Sequence, residues 1–169
     1  LLIDLPVSKW DKLLNVTTRA PVLLAQAAYP ALKESKGALV AVASMPGMGA
    51  HQGMGAYSPS KAALISLCQV LAQEWACDGI NVNTVSPGMI RTPLTQKVYE
   101  NNQIAKERAA LVPWGRVGNP EDISNVISFL LSPEANYITG QNILVDGGFV
   151  DSLYRHIPGL PDSSEIDKT

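Results

Sequence analysis

The sequence predicts an α/β fold built on a mostly parallel sheet, and three observations carry that prediction. Segments of helical periodicity alternate with strand-like runs three times along the chain, the order that right-handed crossovers require. The first strand-like run, Ala38-Leu39-Val40-Ala41-Val42-Ala43, is continuously apolar, as in a strand covered on both faces. The 169 residues are 46% hydrophobic and only 17% charged, which suits one buried core and excludes a disordered chain.

Each element has a local reason. Ser8 is placed to cap a first helix in which Trp10, Leu13, Leu14 and Val16 recur at helical spacing. Pro21 is expected to kink that helix, while Val22, Leu23, Leu24, Ala27 and Ala28 continue its apolar face and Gly37 marks its stop. A glycine-rich loop over 45–55 follows the first strand, and a second helix is predicted over 58–76, ended by Asp78-Gly79. Ile80-Asn81-Val82-Asn83-Thr84-Val85 alternates as a second strand, broken by Pro87-Gly88. A helical stretch over 95–110 comes next. Asn119-Pro120-Glu121-Asp122 then offers a cap, a proline at the first helical position and two acids in the first turn, so a helix starts there. Asn142-Ile143-Leu144-Val145-Asp146 is the last strand, stopped by Gly147-Gly148. Residues 1–150 form one domain on this reading. The polar, proline-bearing stretch 151–169 is a tail or an arm, in which Tyr154, Arg155, His156 and Pro158 are candidates to reach a neighbouring subunit. Three strands are few for a doubly wound sheet, so the sheet is expected to be incomplete.

Composition removes several function classes. Thirteen basic against fifteen acidic residues give a net charge near −2 with no basic block, which argues against a nucleic-acid partner. No apolar run is long enough to form a membrane-spanning helix. Cys68 and Cys77, nine residues apart on one helix, are separated by about 13 Å of rise and face roughly opposite ways. They can neither bridge each other nor make a metal site, and are expected to be buried thiols of a reducing, cytoplasmic compartment.

The chemistry concentrates in Ser44, Tyr57 and Lys61. Ligands of open parallel sheets bind beyond the carboxyl ends of the strands, where Ser44 is expected. Tyr57 and Lys61 are four residues apart and share a face if both are helical. A phenol with a reference pKa near 10 carries protons poorly at neutral pH, and an ammonium about 4–6 Å away favours the phenolate. Tyr57 is thereby poised as a general acid or base, with Ser44 bonding the same substrate oxygen. Pro59 disfavours α geometry at Ser58, so a helix starting only at Pro59 leaves Tyr57 just outside it. Gly47-Met48-Gly49-Ala50-His51-Gln52-Gly53 follows a strand but lacks dinucleotide-loop spacing. It is assigned instead to the border of a substrate pocket, with Met45, His51, Gln52, Met54 and Met89 as candidate contacts. Ser58-Pro59-Ser60-Lys61 also fits the Ser-x-x-Lys of penicillin-recognising acyl enzymes, a remote alternative because the companion Ser-Asp-Asn and Lys-Thr-Gly motifs are absent.

Ser44, thirteen residues before Tyr57 in Tyr57-Ser58-Pro59-Ser60-Lys61-Ala62-Ala63, resembles the short-chain dehydrogenase/reductase family. The resemblance extends to Asn15 in Trp10-Asp11-Lys12-Leu13-Leu14-Asn15-Val16 and to Val82-Asn83-Thr84-Val85-Ser86-Pro87-Gly88-Met89-Ile90-Arg91-Thr92-Pro93. Gly115-Arg116-Val117-Gly118-Asn119-Pro120-Glu121-Asp122-Ile123, Tyr137-Ile138-Thr139-Gly140-Gln141 and Val145-Asp146-Gly147-Gly148 complete it, over nearly all of 1–150. The resemblance implies a Rossmann-like doubly wound sheet, here without its first βαβ units, and NAD or NADP as cofactor. It implies hydride transfer between nicotinamide and an alcohol or carbonyl carbon, with Tyr57 moving the proton and Ser44 holding the oxygen. Lys61 would bond the nicotinamide ribose, and Asn15 would hold a water that links Lys61 to solvent. Pro87 and Gly88 would let the backbone pass the nicotinamide, with Ile90 and Thr92 at its carboxamide.

The family's Gly-rich phosphate turn, the residue that chooses between NAD and NADP, and the Asn-Asn-Ala-Gly strand are not found. The chain is therefore expected to be a fragment that does not catalyse alone. The resemblance implies a homodimer or homotetramer joined through the helix from Tyr57 to Trp75, and the alternative is a non-catalytic oligomerisation fragment or paralogue that uses the same helix. The polar residues Tyr99, Asn101, Asn102, Lys106 and Arg108 of the pocket lid favour a small polar substrate.

Overall fold

A computed structural model describes residues 1–152 and Ile157, so the candidates Tyr154, Arg155, His156 and Pro158 lie outside the described residues. Three parallel strands form one sheet in the order β1 (Ala38–Val42), β2 (Asn81–Pro87) and β3 (Asn142–Val145). The register pairs Val40 with Asn83 and Val42 with Val85, then Val85 with Ile143 and Pro87 with Val145. Helices α1 (Val7–Leu14), α2 (Ala20–Ser35) and α3 (Tyr57–Trp75) serve one face, and α6 (Pro120–Leu130) the other. Two short helices, α4 (Gln96–Tyr99) and α5 (Asn102–Leu111), replace the single stretch expected over 95–110.

The alternation of strand side chains sorts the core. Leu39, Ala41, Ala43 and Val82 pack with Leu64, Cys68, Ala72 and Trp75 of α3 and with Ala25 of α2. Val40, Val85, Ile143 and Val145 pack with Ile123, Val126, Ile127 and Leu130 of α6. The central strand is buried throughout its middle, whereas β1 is only half-buried and Val42 is 45% exposed. The continuous apolar run thus forms the expected strand, but one lateral edge of β1 has no neighbour among the described residues.

Several ends differ from expectation for identifiable reasons. Ser8 lies inside α1 and makes no cap; the helix begins after Pro6. At Pro21, which has no N–H to give, the chain forms a π turn over Asn15–Arg19, closed by the Ala20 N–H on the Asn15 carbonyl. Lys36, at φ 50°, takes the left-handed position that ends α2, and the Gly37 N–H then reaches back to the Leu32 carbonyl at 2.9 Å. At α6 the expected cap is present as a full capping box between Asn119 and Asp122. Arg116 grips the same Asp122 carboxylate bidentately, Nη1–Oδ2 2.7 Å and Nη2–Oδ1 2.9 Å. Together with the Asn119 N–H, that guanidinium holds the carboxyl well below the usual range. Cys68 is buried, but Cys77 is exposed on a short 3-10 extension of α3, contrary to the expectation of two buried thiols.

Candidate active site

Tyr57 is the first residue of α3, so it and Lys61 share one helical turn despite Pro59. Pro59 sits where its missing N–H costs no intrahelical bond, and the Ser60 hydroxyl donates to the Tyr57 carbonyl at 2.8 Å across the same turn. The Lys61 ammonium lies 5.8 Å from the centroid of the Tyr57 ring. It donates to the main-chain carbonyl of Val42 at 2.9 Å, on the unpaired edge of β1. Lys61 is half-buried, and that desolvation lowers its pKa.

Ser44 is extended and leads into a 3-10 turn over Met45–Gly47, with the Gly47 N–H on the Ser44 carbonyl at 2.9 Å. Gly47 packs on α3 at Lys61 so closely that a Cβ there would lie 2.9 Å from the Lys61 carbonyl carbon. Only glycine permits that approach, which seats the turn after Ser44 directly on the turn that carries Tyr57 and Lys61. The sequence assigns Gly47 to a loop bordering a substrate pocket and gives it no role at Lys61. Its one available signal was a glycine immediately after a proline at a strand end. The π turn contributes as well: Thr18 Oγ1 donates to the Ser60 carbonyl at 3.2 Å, tying the segment of Asn15 to the Tyr57–Lys61 turn. Neither Thr18 nor Val42 could have been singled out from spacing. The Asn15 side chain itself is exposed.

The loop after β2 is braced from behind. A Cβ on Gly88 would come within 2.7 Å of Asp146 Cα, so the backbone of Pro87-Gly88 passes flush against β3. Asp146 in turn accepts the N–H groups of Gly148 at 2.8 Å and Val150 at 2.7 Å. Ile90 forms a parallel bridge with Gly118, and Thr95 Oγ1 accepts the Thr92 N–H at 2.8 Å and donates to the Ile90 carbonyl at 2.9 Å. The Thr92 and Thr95 hydroxyls are 3.2 Å apart.

The candidate pocket residues divide. Met45 is half-buried beside Ser44, while His51, Gln52 and Met54 are exposed on the loop before α3. His51 Nδ1 lies 2.8 Å from the Gln52 carbonyl. Met89 is separate from them: with Ile90, Trp114 and Asp146 it lines a cavity of about 180 Å³ that none of Ser44, Tyr57 and Lys61 borders. Lys61 borders instead an open cavity of about 550 Å³ between α2, β1 and α3, lined by Val16, Leu24, Leu39 and Val42. Two of the lid residues have structural roles. Asn101 caps α5 by accepting the Gln103 and Ile104 N–H groups, and Tyr99 is buried. Ser58 is buried too, its hydroxyl oxygen accepting the His51 N–H at 3.4 Å, which removes it as an exposed acyl-enzyme nucleophile. Among the described residues no group of three or more His, Cys, Asp or Glu could hold a metal ion, and no helix is long and apolar enough to cross a membrane.

Comparison with known proteins places this arrangement. A family model described as enoyl-(acyl carrier protein) reductase matches residues 1–150. The chain is 39% identical over 152 residues to 3-oxoacyl-(acyl-carrier-protein) reductase of Thermotoga maritima, covering 89% of this chain and 61% of that protein. It is 36% identical over 153 residues to dehydrogenase/reductase SDR family member 4 of Bos taurus, covering 90% and 55% respectively. A solved structure of 4-hydroxyisoleucine dehydrogenase complexed with NADH superposes at a TM-score of 0.83 with 34% identity, over 88% of this chain and 62% of that one. The chain thus spans little more than half the length of these relatives. With a parallel sheet of Rossmann type, and with Ser44, Tyr57 and Lys61 gathered at one end of β1 and α3, the chain belongs to the short-chain dehydrogenase/reductase family.

Proposed function

We propose that residues 1–150 carry the acid–base half of an NAD(P)-dependent oxidoreductase acting on an alcohol or carbonyl substrate. The observation that carries this reading is the placement of the Lys61 ammonium 5.8 Å from the Tyr57 ring, on a helical turn against which Gly47 seats the segment of Ser44. The names of the relatives and the NADH in the superposed structure support the cofactor class.

The residues present fit the nicotinamide end of such a cofactor. Gly47 lets the turn after Ser44 seat on α3 and Gly88 lets the loop after β2 seat on Asp146, and the half-buried Lys61 offers a cation with donors beyond the one given to the Val42 carbonyl. A nicotinamide, when bound, supplies or accepts the hydride. Lys61, Pro87, Gly88, Ile90 and Thr92 would hold it. Tyr57 then gives its phenolic proton to the substrate oxygen in reduction and takes it back in oxidation. Ser44 donates to that same oxygen and fixes its position, with the Lys61 ammonium beside the Tyr57 ring. Asn15, exposed on the π turn tied to Ser60, relays protons through water between Lys61 and solvent. A second copy of the chain packs on the outer face of α3, where Val70 is exposed and Leu67 and Leu71 are half-buried.

Tyr57→Phe tests the reading in the polypeptide expressed from its natural gene. Turnover of reduced nicotinamide over a panel of ketones should fall by about three orders of magnitude or more, with cofactor affinity nearly unchanged, because only the proton donor is lost. Retained turnover rejects the role of Tyr57.

A further inference from the structure

A second polar depression lies away from Tyr57 and Lys61. It is lined by Arg91, Asn102, Ala105, Lys106, Ala109, Arg116 and Val117 and encloses about 340 Å³. Three of those seven residues are cationic and none is acidic. Asp122, which faces Arg116 from α6, neutralises that guanidinium alone. Glu107, on the same helix as Lys106, accepts a hydrogen bond from Gln103 at 2.8 Å. Arg91 and Lys106 have no acidic partner among the described residues.

Arg91 is also held in place, as Arg116 is by Asp122. Arg91 and Arg108 both lie against the ring of Tyr99, with Cζ 5.3 Å and 5.6 Å from its centroid, and Tyr99 is only 4% exposed. Each guanidinium gains from the ring quadrupole, and of the two only Arg91 lines the groove. Ala105 and Ala109, one helical turn apart, keep the wall of the depression low, and the Asn102 amide adds donors at its rim.

We propose that this groove is an anion site for a phosphate monoester. A carboxylate has two oxygens and fills the fork of a single guanidinium, whereas a phosphate presents three acceptor oxygens to separately mounted donors. Arg91, Lys106 and the outer edge of Arg116 are donors of that kind. The volume exceeds that of the phosphate group and leaves room for the organic portion on the alanine wall. The proposal does not rest on the hydride reading, because neither Tyr57 nor Lys61 lines the groove.

The test is a titration of the full chain with inorganic phosphate and with glycerol 3-phosphate, at constant ionic strength against chloride. Side-chain Nε–Hε resonances of the arginines report the site. Saturable shifts at Arg91 and Arg116, tighter for glycerol 3-phosphate than for inorganic phosphate, are expected. The exposed pair Arg91→Gln with Lys106→Gln should weaken both ligands about tenfold or more, and Lys106→Gln alone by a few fold, with circular dichroism unchanged. Shifts that follow ionic strength equally with chloride overturn the site, as does saturable binding that survives the double variant. Phosphate binding as tightly as the ester overturns the monoester assignment and leaves free phosphate as the ligand.

Discussion

On the β3 side of the sheet the described residues pair one another's polar groups throughout, while on the outer edge of β1 they do so at the Val42 carbonyl. Asn83, fully buried in β2, donates to the Ile138 carbonyl at 2.7 Å and accepts the Gln141 N–H at 3.0 Å. The hydroxyls of Thr84 and Ser86 both donate to Asn142 Oδ1, and Thr139 Oγ1 accepts the Val82 N–H. Across the sheet, the outer edge of β1 has no strand neighbour among the described residues, Leu24 of α2 is 70% exposed, and the Val42 carbonyl is met by the ammonium of Lys61. An unpaired parallel edge beside an apolar cavity is what a further strand would cover. The contrast teaches where the site is finished. Its brace at Gly88 and Asp146 is complete within the chain, whereas Lys61 is engaged with a strand edge as well as facing Tyr57.

The largest expected effect breaks the closed side. Asn83→Ala orphans the Ile138 carbonyl and the Gln141 N–H together, and each buried orphan costs about 1–3 kcal/mol. A loss of about 2–4 kcal/mol in urea-induced unfolding is expected. A loss below 1 kcal/mol would mean that water replaces the amide and that the β3 side is less sealed than its bonds imply.

The next pair sharpens the comparison directly. Leu130, 1% exposed in α6, and Leu24, 70% exposed in α2, are the same side chain on opposite sides of the sheet. Leu130→Ala should cost about 3 kcal/mol, as core truncations do, and Leu24→Ala about 0.5 kcal/mol or less. Equal losses would show that the groove beside β1 is occupied in solution.

The legible parts of the molecule were those set by local pattern. The apolar run of β1, the alternation of β2, the proline-led start of α6 and the four-residue spacing of Tyr57 and Lys61 all follow from side-chain periodicity or cap chemistry. What sequence could not supply was any feature that depends on a carbonyl. The π turn at Asn15 reflects the missing N–H of Pro21 acting on backbone one turn earlier, and the kink expected there named the cause without the form. The Lys61 bond to Val42 likewise depends on which way a strand carbonyl points at an unpaired edge. Met89 was grouped with His51 and Met54 as pocket lining, but chain proximity to the nicotinamide loop does not fix which cavity a side chain enters.

The smallest effect concerns the open side through pH. Burial lowers the Lys61 pKa below its ordinary 10.5, so the folded chain releases that proton before the unfolded chain does. Between the lowered value and 10.5 the unfolded state holds more protons, and the contribution of Lys61 to stability therefore rises with pH across that window. Tyr29 works in the opposite direction. Its hydroxyl donates to Asp78, which raises its pKa above 10.0, so its stabilising proton is lost at higher pH still. The difference between the parent and Lys61→Met isolates the lysine: their stabilities should converge as pH climbs toward 10.5, with the variant the more stable below the window. If a strand were to pair with β1 and take the Val42 carbonyl, the ammonium would lose one acceptor and the window would widen. A pH-independent difference would mean that the Val42 carbonyl already compensates the burial of Lys61 in full.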